Sequence, residues 1–387
     1  LFKKFSIVLI IIVTTIVLTL LLRPMLKLFI PEYENKDKCE SLGTLELICG
    51  LQNPEDFAKI PHENAVIVSQ FAGLAELNEG EIKTGVLSRL DLDTKEIEDY
   101  LIRFEPNNKL GIGEENCEPY ENLYPHGIDV YKDIVVTDSS FSPFLDEAHL
   151  LAVVNHEVVD RIEFFIFFNE QVIFSDSNER ELFWIGCVEG PKKTTYFNDV
   201  VISDSRGSFF ATHQYDKDWD FSKLELYNIF RWDTGYVYGW NGESGFTILE
   251  GSHGAWPNGI EMIDETIYVS FRMNGKVSAI EKNGNRKDFK FRPYLGGGSD
   301  NIIVKDKEIW IAVQNTDLGG LTCMEPEQIQ CATPFSVIKT DANLNVLEEF
   351  EFDNVAFGGL SVAYPHQNQI FLGSYKSDRI AIYKIND

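Results

Sequence analysis

"PHGIDVYKDIVVTDS", residues 125–139, opens on a proline, a histidine and a glycine, alternates apolar with polar residues, turns, and resumes as a β-rich run. Period-two alternation is the pattern of a half-buried strand, so this stretch predicts two successive strands with a polar start. The same plan recurs in "FNDVVISDSRGSFFATHQ" (197–214), "PNGIEMIDETIYVSF" (257–271), "SDNIIVKDKEIWIAVQ" (299–314) and "FGGLSVAYPHQNQIFLGS" (357–374). A looser copy, "PEDFAKIPHENAVIVSQ" (54–70), precedes them. Between the copies lie hairpins such as "VSAIEKNGNRKDFKF" (277–291) and "FSVIKTDANLNVLEEFEF" (335–352), with "NGN" and "DANLN" as turns. Six units of several short strands predict an all-β fold, a six-bladed β-propeller of four-stranded sheets. The rival, a pair of β-sandwiches, gives no reason for polar residues to recur at one phase of the repeat.

The 387 residues are 44% apolar, enough for a large core. With 61 acidic against 34 basic side chains the formal charge is −27, a field that repels phosphate backbones and favours cations, so nucleic acid is not an expected partner. "FSIVLIIIVTTIVLTLLL" (5–22) is uncharged and flanked by basic residues, and a helix of that length nearly crosses a bilayer core of roughly 30 Å. The expectation is therefore one N-terminal transmembrane helix, a signal-anchor over residues 1–30, then a polar stem at 31–50 and the propeller from 51 to 387 on the extracytoplasmic side; a secretory leader, cleaved or retained, is the alternative. Cysteines at 39 and 49, and at 323 and 331, are close enough in sequence to close small loops, which suits an oxidising compartment; free thiols are the alternative.

In a propeller the inner strands of all blades surround one channel, so polar residues at the start of each unit converge on its axis. Those positions hold Glu55 and Asp56, His126, Asn198 and Asp199, Asn258, and Asp300 with Asn301. Apart from the histidine, all are hard oxygen donors, a set that selects Ca²⁺ or Mg²⁺ over zinc or copper, and a wide site favours Ca²⁺. Any one of these dipeptides is also an ordinary turn signal, and the case for a metal lies in their recurrence. His126, with His156 at the end of the next apolar run, can divide the work of taking a proton and holding the base in its tautomer; the alternative is a pair of structural histidines. No G-x-S-x-G, H-E-x-x-H or P-loop motif is present, which disfavours serine-hydrolase and zinc-protease chemistry.

The ordered set "PEDFAKIP", "YPHGIDVY", "LLAVVNHE", "YFNDVVI", "PNGIEM" and "SDNIIV" resembles the serum paraoxonase/arylesterase family of calcium-dependent propeller lactonases, from about Glu55 to the C-terminus. The resemblance implies two calcium ions. A catalytic ion would be held by Glu55, Asn198, Asn258, Asp300 and Asn301, and a structural ion by Asp56, Asp199 and the Ile128 carbonyl. It further implies hydrolysis of a lactone or aryl ester, with His126 as general base and His156 as its partner. The chain departs from that family in lacking a cysteine near its C-terminus, so closure must come from strand pairing or from disulfides elsewhere. Its loops also differ, and Trp232, Tyr236, Tyr238 and Trp256 are open to two readings, a substrate rim or strand packing. A gluconolactonase-like sugar lactonase and a strictosidine-synthase-like or non-catalytic binding propeller are the alternative functions, and fold alone does not choose among them.

Overall fold

The computed structural model describes residues 38–41, 43–73, 84–104, 110–134, 148–169, 180–291, 298–316, 330 and 332–385. The predicted membrane segment and the cysteines at 323 and 331 lie outside these. Among the described residues no helix is long and apolar enough to cross a membrane.

Strand β1 (Leu45–Cys49) precedes six sheets. Blade one is β2 (Pro54–Lys59), β3 (Ala65–Gln70), β4 (Val86–Asp91) and β5 (Ile97–Asp99). Blade two is built from β6 (Leu101–Phe104), β7 (Pro125–Ile134), β8 (Ala148–Asn155), β9 (Arg161–Phe168) and β10 (Glu181–Glu189). Blade three comprises β11 (Thr195–Ile202), β12 (Phe209–Asp216), helix α1 (Phe221–Phe230), β13 (Tyr236–Asn241) and β14 (Gly245–Ile248). Then follow β15 (Pro257–Ile263), β16 (Thr266–Phe271), β17 (Lys276–Glu281) and β18 (Arg286–Lys290) as blade four, and β19 (Gly298–Lys305), β20 (Glu308–Gln314), β21 (Phe335–Asp341) and β22 (Val346–Phe352) as blade five. Blade six is β23 (Leu360–His366), β24 (Gln369–Ser374) and β25 (Arg379–Lys384), completed by β1.

The six-bladed propeller expected from the repeats is thus the fold, with two differences. Blade two has five strands, because β6 leaves the end of blade one and pairs in parallel with β10. Residues 45–49, placed by composition in the stem, form β1, which pairs antiparallel with β25 and closes the ring. Closure therefore joins the two ends of the domain by backbone hydrogen bonds. The Cys39–Cys49 disulfide ends that strand, and a second disulfide, Cys117–Cys187, ties the segment before β7 to β10.

The core lies between blades. Phe164 and Ile166 of blade two pack with Phe197, Phe209 and Trp240 of blade three, and Ile67 of blade one packs with Leu151 and Phe165 of blade two. Both faces of most strands are buried, which is why β8 reads as a continuous apolar run with no alternation.

All six inner strands β2, β7, β11, β15, β19 and β23 break register near their start: at Pro54/Asp56, Pro125/Ile128, Phe197/Val200, Pro257/Ile260, Ser299/Ile302 and Leu360/Val362. A bulge re-aims the side chains it carries. Hydroxyls hold several of these bulges: Thr212 donates to the Asn258 carbonyl, Ser270 to that of Asp300 and Ser361 to that of Glu55, each at 2.6 Å. Successive inner strands are also stapled by carboxylates. Asp56 accepts from the Ile128 amide at 2.9 Å, Asp129 from Ile202 at 2.7 Å, Asp199 from Ile260 at 2.8 Å and Glu261 from Val304 at 3.2 Å.

Candidate active site

The bulges carry Glu55, His126, Asn198, Asn258, Asp300 and Asn301, and all six side chains are buried. The glycine after His126 and the glycine after Asn258 have a steric cause. A Cβ on Gly127 would stand 2.4 Å from the Asp199 Cα, and one on Gly259 would stand 2.5 Å from the Asn301 Cα. The next inner strand runs so close that no side chain fits, and this backbone approach keeps the bulged residues of adjacent strands together.

The amide groups have a consistent polarity. Asn301 donates its Nδ2 to Glu55 Oε1 at 3.0 Å, and the Asn258 side chain bonds that of Asp300. The opposite ends are left over: Glu55 Oε2, Asn198 Oδ1, Asn258 Oδ1 and Asn301 Oδ1 are buried oxygens with no hydrogen-bond donor. An unsatisfied buried acceptor costs about 1–3 kcal/mol, so these four, on neighbouring inner strands, need an occupant that supplies positive charge or donor hydrogens, which a cation or ordered water does. These residues fit a hard cation. Among the described residues no three of His, Cys, Asp and Glu converge on one point, so such an ion would be held largely by amide oxygens beside Glu55. Burial, and then the neighbouring Asp300 charge, push the Glu55 carboxyl well above the usual range; burial raises Asp300 too.

Asp56 and Asp199 differ from this set. Each of their carboxylate oxygens already accepts a backbone amide: those of Phe57 and Ile128 for Asp56, and of Val200 and Ile260 for Asp199. They flank β7 on either side, and Ile128 meets Asp56 through its amide. Burial raises both carboxyls, as it raises Glu261 and, to about 6, Asp129.

His126 and His156 meet. His126 Nδ1 lies 2.7 Å from His156 Nε2, and His126 Nε2 lies 3.4 Å from Glu55 Oε1. The row continues to a residue the sequence reading missed: Asp160 Oδ2 stands 3.0 Å from His156 Nδ1, at an oblique angle. Asp160 is itself held by Lys217 Nζ and, at 2.8 Å, by the Phe197 amide. The aromatic surroundings keep the rings in place. Phe71 stacks on His126 with centroids 4.6 Å apart, and Tyr196 on His156 at 4.5 Å. Burial pushes His126 down to about 4 and lowers His156.

Tyr196 stacks in turn on Tyr215, and Trp256 lies beside Tyr215, so an aromatic row leads away from the dyad. Tyr238 packs in the core and Tyr236 bonds it through the hydroxyl, whereas Trp232, stacked on Phe230 at the end of α1, is largely exposed. Strand packing is thus the role of the two tyrosines.

A second repeat phase, not used in the sequence reading, accounts for several of the added residues. Phe71, His156, Lys217, Arg272 and Tyr375 each directly follow the second strand of a blade, at the same end of the propeller as the bulges.

No known family profile matches the chain, and no curated protein matches it in sequence. By structure it is similar to a protein described as a gluconolactonase, 11% identical with TM-score 0.47 over 88% of this chain and 91% of that one. Virginiamycin B lyase from Staphylococcus aureus is 11% identical with TM-score 0.44, over 90% and 100% of the two chains. A protein described as a glucose dehydrogenase from Thermus thermophilus is also 11% identical, with TM-score 0.43 over 89% and 99%. At these levels neither an activity nor a ligand passes from those proteins to this one.

Proposed function

We propose that the chain is a calcium-dependent hydrolase of lactones or aryl esters, acting at the axis of the propeller. The observation that carries the reading is the shell of four donor-less buried oxygens, joined through Glu55 to a histidine kept neutral by burial. A divalent cation bound by Glu55, Asn198, Asn258, Asp300 and Asn301 supplies Lewis-acid polarisation of a carbonyl oxygen.

The chain's own residues supply the base. With Asp160 accepting from His156 Nδ1–H, the His156 Nε2 lone pair accepts from His126 Nδ1–H, and the free lone pair of His126 is then on Nε2, the nitrogen turned toward Glu55. Nε2 takes a proton from a water as that water's oxygen forms its bond to the carbonyl carbon. The imidazolium formed is compensated by Glu55 on one side and, through His156, by Asp160 on the other. The proton returns to the leaving alkoxide when the acyl–oxygen bond breaks. Phe71 and Tyr196 exclude water from the ring faces, leaving the nitrogens as the polar contacts.

The second ion implied by the resemblance would rest on Asp56, Asp199 and the Ile128 carbonyl. The carboxylate oxygens of Asp56 and Asp199 already accept backbone amides, so the proposal stands on the axial ion alone.

The test is hydrolysis of phenyl acetate and a medium-chain lactone with calcium and after chelation. Turnover should require calcium and fall about 10²-fold or more in His126→Gln, the scale of a lost general base. Calcium binding without turnover of either substrate class would leave a binding propeller, and turnover indifferent to chelator would remove the metal from the reaction.

A further inference from the structure

We infer that Arg272 is a resident positive charge that shares Asp300 with the axial cation and thereby sets how tightly that cation is held; this rests on reading the axis as a cation site. Arg272 directly follows β16 and is partly buried, its side chain 14% exposed, against Asp300. Its Nη1 donates to Asp300 Oδ2 at 2.6 Å and its Nη2 to Gln314 Oε1 at 2.7 Å. Gln314 closes the loop by donating Nε2 to the same Asp300 oxygen and, at 2.9 Å, to the Leu360 carbonyl. The guanidinium also lies 5.7 Å from the centre of the Tyr375 ring, which fixes its plane.

Asp300 is therefore unlike its four companions. Glu55, Asn198, Asn258 and Asn301 each keep an oxygen with no donor, whereas Asp300 has no such orphan and holds an internal cation. Charge counting gives the consequence. Glu55 and Asp300 supply two negative charges and Arg272 one positive, so the shell presents one net negative charge to a divalent ion. The ion is held more loosely than two unopposed carboxylates would hold it, and the loaded axis keeps one net positive charge. That surplus favours a water-derived hydroxide or a developing oxyanion over a second neutral ligand.

The experiment measures calcium affinity of the wild type, Arg272→Met, Arg272→Gln and Arg272→Lys by titrating calcium-loaded protein with a chelator of known affinity. Starting from the loaded state lets a variant that is unstable without the ion still report. Removing the charge should tighten calcium about tenfold or more in the Met and Gln variants, while Lys stays near wild type. Unchanged or weakened affinity in both neutral variants would overturn the role given to Arg272. If the wild type binds no calcium, the reading of the axis itself fails, and the two failures are told apart by that measurement alone.

Discussion

Asp160 governs His126 from two residues away, because each proton along the row Asp160, His156, His126 determines which nitrogen of the next ring is left basic. Asp160 Oδ2 serves both His156 Nδ1 and the Phe197 amide, so an amide that keeps its oxygen there holds the tautomers but removes the charge that stabilises the imidazolium, and turns its NH₂ to the Lys217 side. Asp160→Asn should therefore keep the fold and lower kcat on the order of 10²-fold or more with little change in KM. Steady-state kinetics beside a thermal melt checks this; a matching fall in stability with kcat preserved would make Asp160 structural. The residue is hard to find in sequence. His126 and Asn258 are flagged by the shared "HGID" and "NGIE", whose acids are the staples Asp129 and Glu261, but Asp160 sits in the turn "HEVVD", where no periodicity marks a carboxylate. Arg272 is likewise silent, since an arginine after a strand is usually a solvated charge.

At the level of the strand, bulge and glycine form one device. The bulge turns a polar side chain to the axis, and the following glycine lets the neighbouring inner strand come close enough to present its own. In Gly259→Ala the added methyl meets Asn301 and Ile302 backbone, which cannot rotate away. Overpacking of this kind costs about 1–3 kcal/mol, and the displaced Asn258 and Asn301 should also weaken calcium binding. Urea denaturation with and without calcium would show both effects, and a variant as stable as wild type in both conditions would contradict the close approach. These hairpins are legible in the sequence because their polar starts recur at one phase. Strand β6 is not, because its pairing with β10 joins segments of different units and depends on the geometry of the ring.

Over the whole molecule, the axis concentrates Glu55, Asp56, Asp129, Asp199, Glu261 and Asp300, with Arg272 as a counter-charge beside Asp300 and Glu55. A carboxyl whose pKa is raised by folding binds more protons than in the unfolded chain. Its ionisation therefore costs stability as pH climbs from the unfolded value of about 4 toward the raised folded one. A cation at the axis relieves that cost, and below the raised values it must compete with protons. Calcium should thus raise Tm more at about pH 7.5 than at about pH 5, whereas an increment that grows toward acid pH would place the ion elsewhere. The architecture was foreseeable from six repeats, but its closure was not, because β1 lies in a stretch whose composition reads as a stem. The most direct test of the account is a crystal structure grown with calcium and phased for its anomalous signal. The account predicts an ion on the axis with oxygens of Glu55, Asn198, Asn258 and Asn301 at about 2.3–2.6 Å. An axis without anomalous density, its four oxygens satisfied by water or by turned amides, would contradict it.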